Sequence, residues 1–275
     1  MNRVLCSFSG GRTSALMSML IKHHWRDREV LYIFANTGQE DERTLRFVQQ
    51  VDEHFSLGVV WVEAVVHPED GVGTSFRVVT FDTATRDWSL FAAMSAKFGI
   101  PNMAYPHCTR ELKQRPITSY LRSIGWESGS YVTALGYRID EPARAKNKPT
   151  DQVFPLITVW PMDKQDVNTF WENQPFNLEL KEYQGNCRWC WKKHEPKLVR
   201  LVKEDRSIFD VPARLEREFG SIKAPNGPRT LFRKHRSTID ILNLADVWPD
   251  QLPLLDEDGS GGCSESCEFT TAIED

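Results

Sequence analysis

No stretch of about 18 uninterrupted apolar residues occurs in the chain, so no membrane-crossing helix is expected. The N-terminal stretch MNRVLCSFSGG reaches a glycine pair too soon to hold the apolar core of a signal peptide. A soluble, cytoplasmic protein without a membrane partner is the expectation. Internal repeats are absent, which excludes solenoid and propeller architectures. Net charge is only −4, so overall charge names no partner. Its distribution is uneven: residues 192–236 hold 13 Lys or Arg against 6 Asp or Glu, whereas residues 237–275 hold 10 acids and no Lys or Arg. That contrast reads as a basic region, open to a nucleic-acid partner, followed by an acidic tail, although charge runs are commonly solvated helix faces.

What is present suffices for a sizeable core. With 275 residues, 40% of them hydrophobic, the chain should fold without covalent staples. Its six cysteines, at 6, 108, 187, 190, 263 and 267, would sit in a reducing compartment, where spaced cysteines bind metal or do redox chemistry more often than they cross-link. Cys6 lies inside an apolar run and is expected in the core.

Continuous apolar runs at 4–8, 30–35, 59–66 and 131–137 read as strands buried on both faces. Helical patterns at 15–21, 42–54, 82–98, 111–124 and 163–171 alternate with them, and residues 140–152 read as a mobile loop. The fold class expected is therefore α/β, a parallel, Rossmann-type sheet flanked by helices, with a small helical C-terminal region. In such sheets ligands bind beyond the carboxyl ends of the strands.

Ser9-Gly10-Gly11-Arg12-Thr13-Ser14 follows the first strand and opens a helix. Backbone N–H groups and the helix's positive end favour an anion there, the glycines allow close approach, and the hydroxyls can donate. The Gly-Lys-Ser/Thr ending of a Walker loop is missing, so ordinary P-loop chemistry is not expected. Thr37 and Gly38 end the second strand on the same side. Arg138 and Arg144 can each present a planar fork to phosphate or sulfate, with Glu141 holding an arginine in place.

The loop is similar to the SGGxxS pyrophosphate loop of the adenine nucleotide α-hydrolase (PP-loop ATP pyrophosphatase) superfamily. Asn36-Thr37-Gly38 followed by Thr44-Leu45-Arg46-Phe47 resembles a second-strand motif of its phosphoadenylyl-sulfate (PAPS) reductase branch. Residues 136–144 resemble that family's GxRxxES(x)R loop, with Pro142 where serine is usual, and residues 155–160 with Asp166-Val167 resemble PLxxW...DV. The segments occur in the family's order over residues 1–193. The resemblance implies a nucleotide-binding domain over 1–193, contacting an adenine nucleotide (ATP, PAPS or APS, with Mg2+ admitted) through Ser7, Ser9, Gly10, Gly11, Arg12, Thr13, Ser14, Asn36, Thr37, Gly38 and Gly136. A basic helical region would span 194–255, and a flexible, acidic, cysteine-containing tail 256–275.

Cys108 to Pro116 resembles the CCxxRKxxP segment of reductases that carry a [4Fe-4S] cluster, Lys113 matching the lysine and Thr109 replacing the second cysteine. With the CxxC pair Cys187 and Cys190, the resemblance implies three cluster ligands; the fourth is Cys263, Cys267 or an open iron. Zinc, with His194 or His107, and no metal at all are the alternatives. The family's ECGLH motif is missing, so Cys263 and Cys267 are only candidate nucleophiles, beside Lys113, Arg138 and Arg144 as catalytic residues. Sulfonucleotide reduction, with a thiol reductant such as thioredoxin, and ATP-dependent sulfur transfer both fit, as does a binding module without turnover. A homo-oligomer is left open.

Overall fold

The computed structural model describes residues 2–146 and 149–249; Cys263 and Cys267 lie outside them. Among the described residues, six strands form one sheet: β1 (Arg3–Ser7), β2 (Glu29–Ala35), β3 (Val60–Val65), β4 (Ser75–Val79), β5 (Tyr131–Ala134) and β6 (Gln152–Val153). Their order is β4-β3-β2-β1-β5-β6, parallel except for β4, which runs antiparallel to β3. The helices are α1 (Arg12–His24), α2 (Glu42–Phe55), α3 (Ser89–Phe98), α4 (His107–Thr109), α5 (Arg115–Ser123), α6 (Pro142–Ala145), α7 (Pro155–Thr158), α8 (Lys164–Glu172), α9 (Glu195–Glu204), α10 (Asp210–Phe219) and α11 (Thr238–Val247). The α/β expectation is met in a sheet that is mostly, not wholly, parallel. Among the described residues, no helix is long and apolar enough to cross a membrane.

The continuous apolar runs of the central strands follow from cover on both faces. Val4 and Cys6 pack with Leu16 and Ile21 of α1, Phe47 and Val51 of α2, and Trp171 of α8. Leu5, Ile33 and Val62 point the other way, onto Ile117 and Leu121 of α5. Cys6 is fully buried, as expected; burial pushes its thiol up to about 12 against a hydrogen bond with Ser18. A further core gathers α3, Cys187, Cys190 and the helices α9, α10 and α11, with Cys108 packed against it.

Local chemistry sets several boundaries. Asp41 caps α2 by accepting from the Arg43 N–H, and Asp163 forms a reciprocal capping box with Asp166 at α8. The helix expected over 82–98 starts only at Ser89, whose N–H bonds the Asp87 carboxylate, while residues 80–88 turn. The helix expected over 111–124 is instead a π-helical turn, Arg110–Gln114, followed by α5. Pro116 has no N–H to continue an α-helical ladder back to Leu112, which accounts for the break. Strand β5 is shorter than the 131–137 run, because Gly136 to Arg138 leave the sheet as a loop. Within the 140–152 stretch expected as a mobile loop, Pro142–Ala145 form the short helix α6, and β6 begins at Gln152.

Candidate functional site

Sheet order fixes where a crevice opens. From β1 the chain moves outward through β2, β3 and β4 on one side, then returns to place β5 and β6 on the other. The loops after β1 and β5 therefore diverge at a switch point, where open α/β sheets bind ligands.

Loop 9–14 stands at the carboxyl end of β1, just past Ser7. Gly10 has φ +83°, and a Cβ there would come within 2.7 Å of Thr44 Cγ2 on α2. Left-handed backbone and the press of α2 thus both require glycine. Gly11 is the N-cap of α1, and no acidic residue stands in that helix's first turn to satisfy its positive end. Gly136, after β5, approaches from the other side: a Cβ would lie 3.1 Å from Ser14 Cα and 3.2 Å from Ser14 N. The two crevice loops are in backbone contact.

Several candidate side chains hold the loop's shape. Ser14 Oγ donates to the Gly11 carbonyl (3.0 Å), accepts from the Ser9 N–H (3.2 Å) and bonds Ser9 Oγ (3.0 Å). The Arg12 side chain turns away from the loop: Nε donates to Asn177 Oδ1 (2.8 Å), and the Nη atoms donate to the carbonyls of Leu178 and Leu180. Trp171 of α8 donates to the Arg12 carbonyl (2.9 Å). Arg138 is only 6% exposed. It makes a two-pronged contact with Asp140 (2.9 and 3.0 Å), and its Nη1 donates to Thr13 Oγ1 (3.3 Å). Burial works to raise the Asp140 carboxyl, yet the Arg138 guanidinium outweighs it and holds the group below the usual carboxylate range. Arg138 is thus a cation fixed beside the first turn of α1. Arg144 lies 4.5 Å over the Tyr137 ring and pairs with Glu141, which also accepts from the Arg138 N–H.

Asn36 is fixed by a buried carboxylate that no sequence motif announced, and its own Oδ1 accepts from the Gly38 N–H (3.2 Å). Glu63, 0% exposed inside β3, accepts from Asn36 Nδ2, from the Thr85 N–H and hydroxyl, and from Arg77. Gly38 has φ +78°, and a Cβ there would meet the Asp87 carbonyl at 2.5 Å. Thr37 donates through N and Oγ1 to Glu40 (2.9 and 2.7 Å), and its Oγ1 lies 3.3 Å from Cys187 Sγ. Glu40 also bridges Cys187 in antiparallel fashion, and Arg188 N–H donates to the Gln39 carbonyl. The CxxC segment is therefore docked on the loop after β2, at the same end of the sheet as loop 9–14.

A small cleft of about 10 Å3 lies over the loop. Ser9, Gly10, Gly11 and Thr44 line one side, and Leu178, Leu180, Lys181, Gly185 and Asn186 the other. The strap 177–186 matched no motif; its one signal was the Leu178, Leu180 alternation ahead of a Gly185-Asn186 turn.

Cys108, Cys187 and Cys190 share one core although the sequence separates Cys108 widely from the pair. Trp191 Nε1 donates to Cys108 Sγ (3.4 Å), Lys192 Nζ to Thr109 Oγ1 (3.1 Å), and the Cys190 N–H to the Cys187 carbonyl (3.0 Å). Lys113 is buried in the π-helical turn beyond Cys108. The thiols fit a cluster only in part: among the described residues, no three His, Cys, Asp or Glu side chains gather as a metal-holding group. His107 is drawn down to about 4 by burial and by Arg110 and Arg229, and His194 is lowered mainly by burial. In the basic region, Lys234 and Arg236 pair with Glu195, Arg206 with Asp246, and Arg214 with Glu218.

No family model matches the chain. It is 31% identical, over 281 residues covering 96% of this chain and 93% of the relative, to an uncharacterized nin region protein, ORF290, of Escherichia phage lambda. The chain belongs to the family of that nin region protein.

Proposed function

We propose that this member of the ORF290 family binds an adenine nucleotide by its phosphates at loop 9–14, as a sulfur-handling enzyme of the PAPS reductase type. The observation that carries the reading is the meeting of two glycine-bearing loops at the switch point. Gly136 abuts the first turn of α1, which carries no acidic residue of its own, and Arg138 is fixed beside it. Backbone donors, a helix terminus and a held guanidinium favour a polyanion. The adenine nucleotide and the sulfur chemistry rest on the ordered motif resemblance, to which the position of Cys187 beside Thr37 adds a thiol at the same end of the sheet.

Two reactions suit this arrangement. In one, a thiolate attacks the sulfate sulfur of PAPS, the S–O bond to phosphate breaks, adenosine bisphosphate leaves, and a thiol reductant supplies two electrons to free sulfite. In the other, an acceptor oxygen attacks the α-phosphate of ATP, pyrophosphate leaves, and a sulfur nucleophile then displaces AMP. Incubating the full chain with ATP, or with PAPS and a dithiol, separates them. Sulfite marks the first, pyrophosphate the second, and nucleotide binding without either marks a module that has lost turnover. Failure to bind either nucleotide contradicts the proposal.

A further inference from the structure

The phosphate chain of a nucleotide carries several negative charges, more than the one guanidinium held beside the loop, itself shared with Asp140, can balance. Arg12 is turned onto residues 177–180, and Arg138 is forked onto Asp140. Arg12 and Arg43 hold the strap in place, Arg43 Nη1 donating to the Glu179 carbonyl (3.0 Å). Leu178 and Leu180 are buried beneath, so the backbone leading to Lys181 is anchored in the core on the far side of the cleft. The next residues form a tight turn, in which Lys181 N–H donates to Gln184 Oε1 and Gln184 N–H returns to the Lys181 carbonyl.

Among the described residues lining the cleft, Lys181 is the one with a cationic side chain. Resting on the reading of loop 9–14 as a phosphate site, we infer that Lys181 is a second phosphate-neutralising cation of that site beside Arg138, supplied from the strap rather than from the loop's own motif. A lysine suits the role, being a compact point charge on a flexible four-carbon stem. Its present partners, Glu204 and Tyr183, are replaceable. Lys181 Nζ lies 3.5 Å from Glu204 Oε1, and the side chain is 63% exposed. Glu204 also accepts from Tyr183 Oη and from Gln184 Nε2 (3.1 Å), and Arg200 Nε lies 3.9 Å away. When the ammonium swings to an anion in the cleft, Glu204 keeps three partners. An exposed pair of this kind contributes little to stability, whereas a charge-assisted contact to phosphate is among the stronger polar contacts. The strap thus closes the site electrostatically.

The test is calorimetric titration of the full chain with ATP, AMP and adenosine, in the wild type, Lys181→Gln, Lys181→Arg and Arg200→Gln. Arg200→Gln removes a cation from the same Glu204 cluster but not from the cleft. Lys181→Gln should weaken ATP roughly tenfold, the size of one charge-assisted contact, while adenosine is unchanged and AMP falls less than ATP. Lys181→Arg should recover most of the loss, and Arg200→Gln should show none. Equal ATP affinity in wild type and Lys181→Gln overturns the inference while leaving the loop reading intact. So does an equal loss in Arg200→Gln, which would mark a general surface field. If the wild type binds no ATP at all, the loop reading fails and the inference falls with it.

Discussion

Replacing Gly136 with alanine probes the contact on which the crevice depends. Gly136 has no left-handed backbone to forbid a side chain, so the effect of a methyl group is steric. Its Cβ would sit 3.1 Å from Ser14 Cα, 3.2 Å from Ser14 N and 3.4 Å from the Thr13 carbonyl carbon. All three are backbone atoms of the first turn of α1, which cannot rotate aside as a side-chain tip would. The loop after β5 and the helix terminus must separate by a few tenths of an ångström. Overpacking of this kind costs about 1–3 kcal/mol. If relief comes by opening the crevice, ATP affinity should fall roughly 5- to 150-fold, with a small loss of stability. If it comes by straining the fold, Tm should fall by about 2–4 °C per kcal/mol for a chain of this size. Calorimetric titration and thermal melting of the same preparation read both. Gly136→Ala with unchanged Tm and unchanged ATP affinity would refute the close approach of the two loops.

Glu63→Ala removes the acceptor shared by Asn36, Thr85 and Arg77, leaving buried donors unmet. It should cost about 1–3 kcal/mol in denaturant unfolding, the range for leaving buried donors unsatisfied, since Arg77 is half-exposed and can turn to water; a loss below about 0.5 kcal/mol would contradict the network's role. His107 is held down to about 4, so the folded chain binds fewer protons than the unfolded chain between that value and the ordinary histidine range. Stability should therefore fall as pH drops from about 6.5 toward 4, and His107→Asn should flatten that slope in pH-dependent melting; an unaltered slope counts against the burial of His107. Under the cluster reading, Cys108→Ser, Cys187→Ser and Cys190→Ser should each cut iron and acid-labile sulfide of anaerobically purified protein to a similar extent. Full iron content in Cys108→Ser would remove that residue from any such site.

Much of the scaffold was legible because the central strands bury both faces. Val4, Leu5 and Cys6 form an unbroken apolar run since α1 lies over one side and α5 over the other. The edges were not. β4 pairs on one side only and carries Arg77 toward Glu63, so it lacks that run, and β6 spans just two residues. The 82–98 pattern looked helical throughout, but Asp87 draws the start to Ser89 by capturing its N–H. At the site, loop 9–14 stands out as a glycine pair between a strand and a helix, and Gly136 through the resemblance of residues 136–144 to the GxRxxES(x)R loop. What no motif could convey was the division of labour. Arg12 serves the strap rather than the anion, and Glu63 organises Asn36 from another strand. The strap itself reaches the loop across more than 160 residues of sequence, a tertiary contact with no local signal.

Amide chemical shifts of the full chain during titration with ATP, and separately with inorganic pyrophosphate, test the central claim most directly. Saturable binding should move the N–H signals of Gly11, Arg12 and Thr13 most, with Gly136 following because it touches the same helical turn. Pyrophosphate should reproduce the shifts at the loop. Saturable binding whose shifts lie away from residues 9–14 and 136, or no binding at millimolar ligand, would contradict the account.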